Sequence, residues 1–119
     1  MLLIEDDPET NRLFSEVLAE DGFAVTACAH DGLPEPDGIG LVVTDLDQGS
    51  RSYTSDGARS WIRLLRDRYA APVFVITGHT EATLDDALRA EAADVMGKPV
   101  DLADLNTRLE AAFQTTRPN

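Results

Sequence analysis

Four short segments carry the side chains that could do chemistry, and each follows an apolar run. Glu5-Asp6-Asp7 follows Leu2-Leu3-Ile4, Asp45-Leu46-Asp47 follows Leu41-Val42-Val43-Thr44, Thr77-Gly78-His79 follows Val73-Phe74-Val75-Ile76, and Lys98-Pro99 follows Asp94-Val95-Met96-Gly97. If the runs are parallel strands, these segments share one edge, because open α/β sheets bind ligands beyond the carboxyl ends of their strands. Carboxylates gathered there repel and raise one another's pKa unless a cation joins them. A hard divalent ion with oxygen ligands answers that need, and Mg²⁺ suits a site that keeps waters and shares phosphate oxygens. A hydroxyl and an ammonium at neighbouring strand ends supply a hydrogen-bond donor and positive charge for phosphoryl oxygens. Together these groups describe acyl-phosphate chemistry with a carboxylate as nucleophile.

Taken singly, each segment has a simpler explanation. Acids after a strand often cap the next helix, a lone threonine is often a turn residue, and a lone lysine is often a solvated charge. The signal is their coincidence, one segment at the end of each of four strands. His30 and His79 read as loop residues without a ligand role. Cys28, the only cysteine, excludes an internal disulfide and reads as a small buried hydrophobe within a strand.

The elements that must position these groups follow from the hydrophobic pattern. Strands are expected at 2–4, 24–29, 41–44, 73–77 and 94–96, alternating with helical patterns, which argues for βαβ units and a parallel sheet. A first helix begins at Pro8 with Asp7 as its cap, carries Leu13, Phe14, Val17 and Leu18 on one stripe, and stops at Gly22. A second, over about 57–70, is marked by Trp61, Ile62, Leu64, Leu65 and Tyr69, and a weaker third by Leu84, Ala87 and Leu88. The last follows Pro99, with Asp101 as cap and Leu102, Leu105, Leu109 and Phe113 on one face. Residues 31–40 hold Pro34, Pro36 and three glycines, which oppose a helix and predict a loop.

Size and charge narrow the function classes. A chain of 119 residues fits one domain, over 1–113, with 114–119 as a frayed tail. A hydrophobic content of 43% with 27% charged residues is a globular balance. The net charge of -12 opposes direct contact with nucleic acid or anionic lipid. No apolar run approaches the ~20 residues that span a bilayer, and the start lacks a signal-peptide pattern, so a cytoplasmic location is expected.

Leu2-Leu3-Ile4-Glu5-Asp6-Asp7-Pro8, Val42-Val43-Thr44-Asp45, Val73 through His79, and Gly97-Lys98-Pro99 resemble, in order, the four signature segments of response-regulator receiver domains. The resemblance covers nearly the whole chain. It implies a flavodoxin-like doubly wound α/β fold with a five-stranded parallel sheet in the order 2-1-3-4-5. It implies that Asp45 accepts a phosphoryl group from a histidine kinase or phosphotransfer protein, and that the modified domain switches its binding to a partner. Asp6 would ligate Mg²⁺ directly together with Asp45, Glu5 would reach the ion through water, and Asp47 through its backbone carbonyl. Thr77 and Lys98 would contact the phosphoryl group, and the Lys98-Pro99 bond would be cis. Such a protein is a signalling phospho-acceptor, with at most self-phosphorylation and autodephosphorylation, rather than an enzyme.

Three features depart from that pattern. Residues 31–40 stand where the family places its second helix, the segment 48–56 is long with Gly49 at a usual proline position, and Val95 replaces a usual aromatic switch residue. The lost helix would bare the second strand and favour dimerisation or docking of an output protein through 24–29 and 31–40, unless Leu33 and Ile39 plug the gap. Two other functions stay open. One is a pseudo-receiver that keeps the fold for docking or dimerisation. The other is a small phosphatase of the haloacid-dehalogenase type, which Asp45-Leu46-Asp47 also resembles. Chain order separates the last, because that superfamily opens on its paired aspartates, whereas here Glu5-Asp6 comes first.

Overall fold

A computed structural model describes residues 1–46 and 53–114. Five strands, β1 (Leu2–Ile4), β2 (Thr26–Cys28), β3 (Val42–Asp45), β4 (Val73–Thr77) and β5 (Asp94–Gly97), form one parallel sheet in the order β2-β1-β3-β4-β5. The helices are α1 (Pro8–Glu20), α2 (Ser55–Tyr69), α3 (Thr80–Thr83), α4 (Asp86–Glu91) and α5 (Leu102–Gln114). This is the flavodoxin-like order expected from the sequence.

Alternation along the strands sends apolar side chains to both faces, and helices cover each face. Leu2, Ile4, Val42, Val73, Val75 and Val95 pack with Ile62, Leu65 and Tyr69 of α2 and Leu88 of α4. Leu3, Val43, Phe74, Ile76 and Met96 pack with Phe14 and Leu18 of α1 and Leu105 and Leu109 of α5. The stripes are narrower than expected. Leu13 is 53% exposed and Val17 only half-buried, because Phe14 and Leu18 one turn apart already fill the contact of α1 with the sheet.

The weak third helix is two short ones. Asp85 Oδ1 accepts from the amides of Ala87 and Leu88 and starts α4 afresh, which leaves Leu84 outside at 76% exposure. β2 is shorter than expected, and β3 and β5 each run one residue further toward the site.

No helix forms between β2 and β3. The segment instead lies on the α2 side of the sheet, where Leu33 and Ile39 pack against the core. Two donors hold it there: Arg68 Nη2 and Tyr69 Oη reach the Pro34 carbonyl at 2.8 and 2.7 Å. The gap left by the missing helix is therefore plugged, while Thr26 and Ala27 on the edge strand stay exposed. Among the described residues no helix is long and apolar enough to cross a membrane.

Candidate phosphoryl-acceptor site

The parallel register decides which side chains meet. Ile4 is level with Thr44, Asp45 with Ile76, and Thr77 with Gly97. Glu5 and Asp45 are consequently level, with Thr77 one residue and Lys98 two residues further along the same edge. Asp7 sits one step beyond as the cap of α1, accepting from the Thr10 amide at 3.2 Å and from the Thr10 hydroxyl, bonds that hold its carboxyl below the usual carboxylate value.

Lys98 is the centre of charge. Its Nζ lies 3.4 Å from Glu5 Oε2 and 3.5 Å from Asp45 Oδ2, and those two carboxylates are almost wholly buried. Glu5 Oε1 also accepts from the Asp7 amide at 3.2 Å. The Lys98-Pro99 peptide bond is cis, as the resemblance implied. Thr77 is buried, and its hydroxyl oxygen accepts from the His79 amide at 3.0 Å.

Asp6 is held by a different partner. Its Oδ1 accepts from the His30 amide at 2.8 Å and stands 2.8 Å from His30 Nδ1. Partial burial acts to raise the Asp6 pKa, but the His30 amide and ring outweigh it and hold the carboxyl below its ordinary value. Glu5, Asp45 and Lys98 thus meet at the strand edge that also holds Thr77, while one Asp6 oxygen is held by His30 beyond the end of β2. Asp47 and residues 48–52 lie outside the described residues, as do 115–119 of the expected tail.

His30 is the residue that the strand-end argument missed. It is in a loop, as expected, but its ring is enclosed: Nε2 is 2.8 Å from the Asp45 carbonyl oxygen, and the ring packs on Trp61 with centroids 5.1 Å apart. Trp61 Nε1 donates to Thr44 Oγ1 at 2.9 Å, and the Thr44 hydroxyl donates to the same Asp45 carbonyl at 2.9 Å. The signal was available, since the end of β2 is a strand end like the other four.

Tyr53 also gave no warning. Its hydroxyl donates to Asp85 Oδ2 at 2.6 Å and its ring lies 5.7 Å from that of His79, so it links the chain after β3 to the cap of α4. Burial, and then Asp85, push the Tyr53 hydroxyl pKa up, while the Ser55 and Tyr53 side chains draw Asp85 down to about 2. Cys28 is half-buried, and burial followed by the Asp6 charge pushes its thiol up.

The available donors are hard carboxylate oxygens at neighbouring strand ends, which suit Mg²⁺ and not a thiophilic ion. Among the described residues no three His, Cys, Asp or Glu side chains are arranged to enclose a metal. An ion that keeps several of its waters needs only one or two carboxylates, so the residues present fit it.

Comparison with known proteins agrees with this fold. Regulatory protein AtoC of Escherichia coli (strain K12) is 29% identical over 123 residues, an alignment that covers 96% of this chain and 25% of AtoC. The chain thus spans about a quarter of that relative. The CheY-like receiver domain protein from Methanospirillum hungatei JF-1 superposes with a TM-score of 0.75 at 20% identity, covering 97% of this chain and 93% of that one. The non-phosphorylated HemR receiver domain from Leptospira biflexa gives 0.74 at 24% identity, covering 99% and 96%. The family model of the response regulator receiver domain matches residues 1–110 and so takes in Glu5, Asp6, Asp45, Thr77 and Lys98 in order; this chain belongs to that family.

Proposed function

We propose that this receiver domain takes a phosphoryl group from a histidine kinase or phosphotransfer protein onto Asp45 and thereby changes what its surface binds. The observation that carries the reading is the pairing of the buried Asp45 carboxylate with Lys98 at 3.5 Å, at the strand edge that also holds Glu5 and Thr77. In the transfer, an Asp45 carboxylate oxygen attacks phosphorus, the bond to the donor nitrogen breaks, and an acyl phosphate forms. Lys98 stands where it would balance charge on the phosphoryl oxygens, and the Thr77 hydroxyl would turn toward one of them.

Receiver domains in general bind Mg²⁺ in this acidic pocket. Here Asp6 and Asp45 would hold it directly, Glu5 through water and Asp47 through its carbonyl; when bound, it neutralises charge shared between carboxylate and phosphate. The partners that fit this role are the donor, and an output protein or a second copy of the chain.

The test is radiolabelling with a small acyl-phosphate donor and Mg²⁺. The expected label is released by hydroxylamine, as an acyl phosphate is, and absent from Asp45→Asn. A docking module that keeps the fold without phosphorylation would take no label in either protein.

A further inference from the structure

We infer that His30 is a positioning residue that sets the Asp6 carboxylate and the Asp45 backbone for metal binding, a deepening that rests on the Mg²⁺ site proposed above. One residue at the end of the edge strand spans two neighbouring strand ends. Its amide donates to Asp6 Oδ1 at 2.8 Å, its Nδ1 stands 2.8 Å from the same oxygen as a close contact without hydrogen-bond geometry, and its Nε2 meets the Asp45 carbonyl at 2.8 Å. One Asp6 oxygen is thereby held, which leaves the direction of the other fixed.

The ring is itself kept in place. Its side chain is 9% exposed, Trp61 covers one face, and the Trp61–Thr44 bond continues to the same Asp45 carbonyl that His30 meets. The Asp45 carbonyl is therefore gripped from two sides. Groups that orient metal ligands from behind are worth roughly 10–100-fold in metal affinity. The low end applies here, because the His30 amide would remain on Asp6 after the ring is lost.

The experiment is calorimetric titration of MgCl₂ into the full chain and its His30→Ala, His30→Gln, Trp61→Leu and Asp6→Ala variants, with urea unfolding of each as a control on folding. His30→Ala is expected to bind Mg²⁺ about 10-fold more weakly. His30→Gln, which keeps volume and one donor, should recover part of the loss and stand in if the alanine variant does not fold. If Trp61 acts by holding the ring, His30→Ala with Trp61→Leu weakens binding no more than His30→Ala alone. A metal-free readout accompanies these: Trp61 is the only tryptophan, and its indole N–H resonance should move in His30→Gln. Unchanged or tighter Mg²⁺ binding in both His30 variants, beside a loss in Asp6→Ala, overturns the role of His30 and leaves the site standing. Unchanged binding in Asp6→Ala overturns the site itself.

Discussion

Replacing Lys98 with methionine keeps most of the side-chain volume and removes the charge that, among the described residues, joins Glu5 to Asp45. At 3.4 and 3.5 Å each contact carries a gross attraction of about 4–5 kcal/mol at an effective dielectric of ~20, much of it spent on desolvation. Deleting one partner of a buried pair costs about 3–5 kcal/mol, because the other charge stays buried without compensation. Lys98 is 27% exposed, so water enters more readily than in a closed core, and the expected loss is about 2–3 kcal/mol. For a domain of this length that is a fall of roughly 8–12 °C in Tm. Thermal unfolding followed by circular dichroism, with and without Mg²⁺, is the assay. A cation at about ten times its Kd stabilises the wild type by about 1.4 kcal/mol. It should stabilise Lys98→Met more, since it replaces part of the missing charge, and so narrow the gap. A loss below about 0.5 kcal/mol, or equal Mg²⁺ stabilisation of both proteins, would show that Lys98 does not hold the two carboxylates together.

Thr77→Ala should slow phosphorylation by about 10²–10³-fold without abolishing it, as the loss of one donor to a developing oxyanion does; a rate equal to wild type in a rapid-quench assay counts against the expected contact. Tyr69→Phe removes one of the two donors to the Pro34 carbonyl and should cost about 1 kcal/mol in urea unfolding, with faster amide exchange around Leu33; unaltered exchange would mean that the bond does not hold the loop. The depressed Asp85 pKa contributes stability that is fully present above the unfolded value of 3.8 and is lost as pH falls through about 2. Asp85→Asn, which still caps α4, should therefore lose less stability than the wild type between about pH 4 and pH 2 in acid titrations of unfolding; parallel curves would show that the Tyr53 and Ser55 bonds do not act on Asp85 in solution.

The sheet was legible because its strands are short apolar runs with chemistry only at their carboxyl ends, and parallel register then dictates that Glu5, Asp45, Thr77 and Lys98 share an edge. Pro34, Pro36 and the glycines around them announced the missing helix equally well, since no tertiary contact restores an amide to proline. What the pattern did not carry is where side chains settle when several partners compete. Asp6 and Glu5 are adjacent, yet one turns to His30 and the other to Lys98, because alternation along the chain sends them apart. Leu13 and Leu84 look like core positions by type, but helix rotation and the Asp85 cap put them outside. His30 and Tyr53 escaped notice because their roles depend on contacts with residues 15 and 32 positions away, which no local spacing reveals.

The central claim is that Asp45 is the phosphoryl acceptor. Intact mass spectrometry after incubation with acetyl phosphate and MgCl₂, followed by borohydride reduction and peptide mapping, tests it most directly. The expected result is a gain of one phosphoryl group that requires Mg²⁺, a reduced side chain at position 45, and no gain in Asp45→Asn. Modification at any other residue, or an undiminished gain in Asp45→Asn, would contradict it.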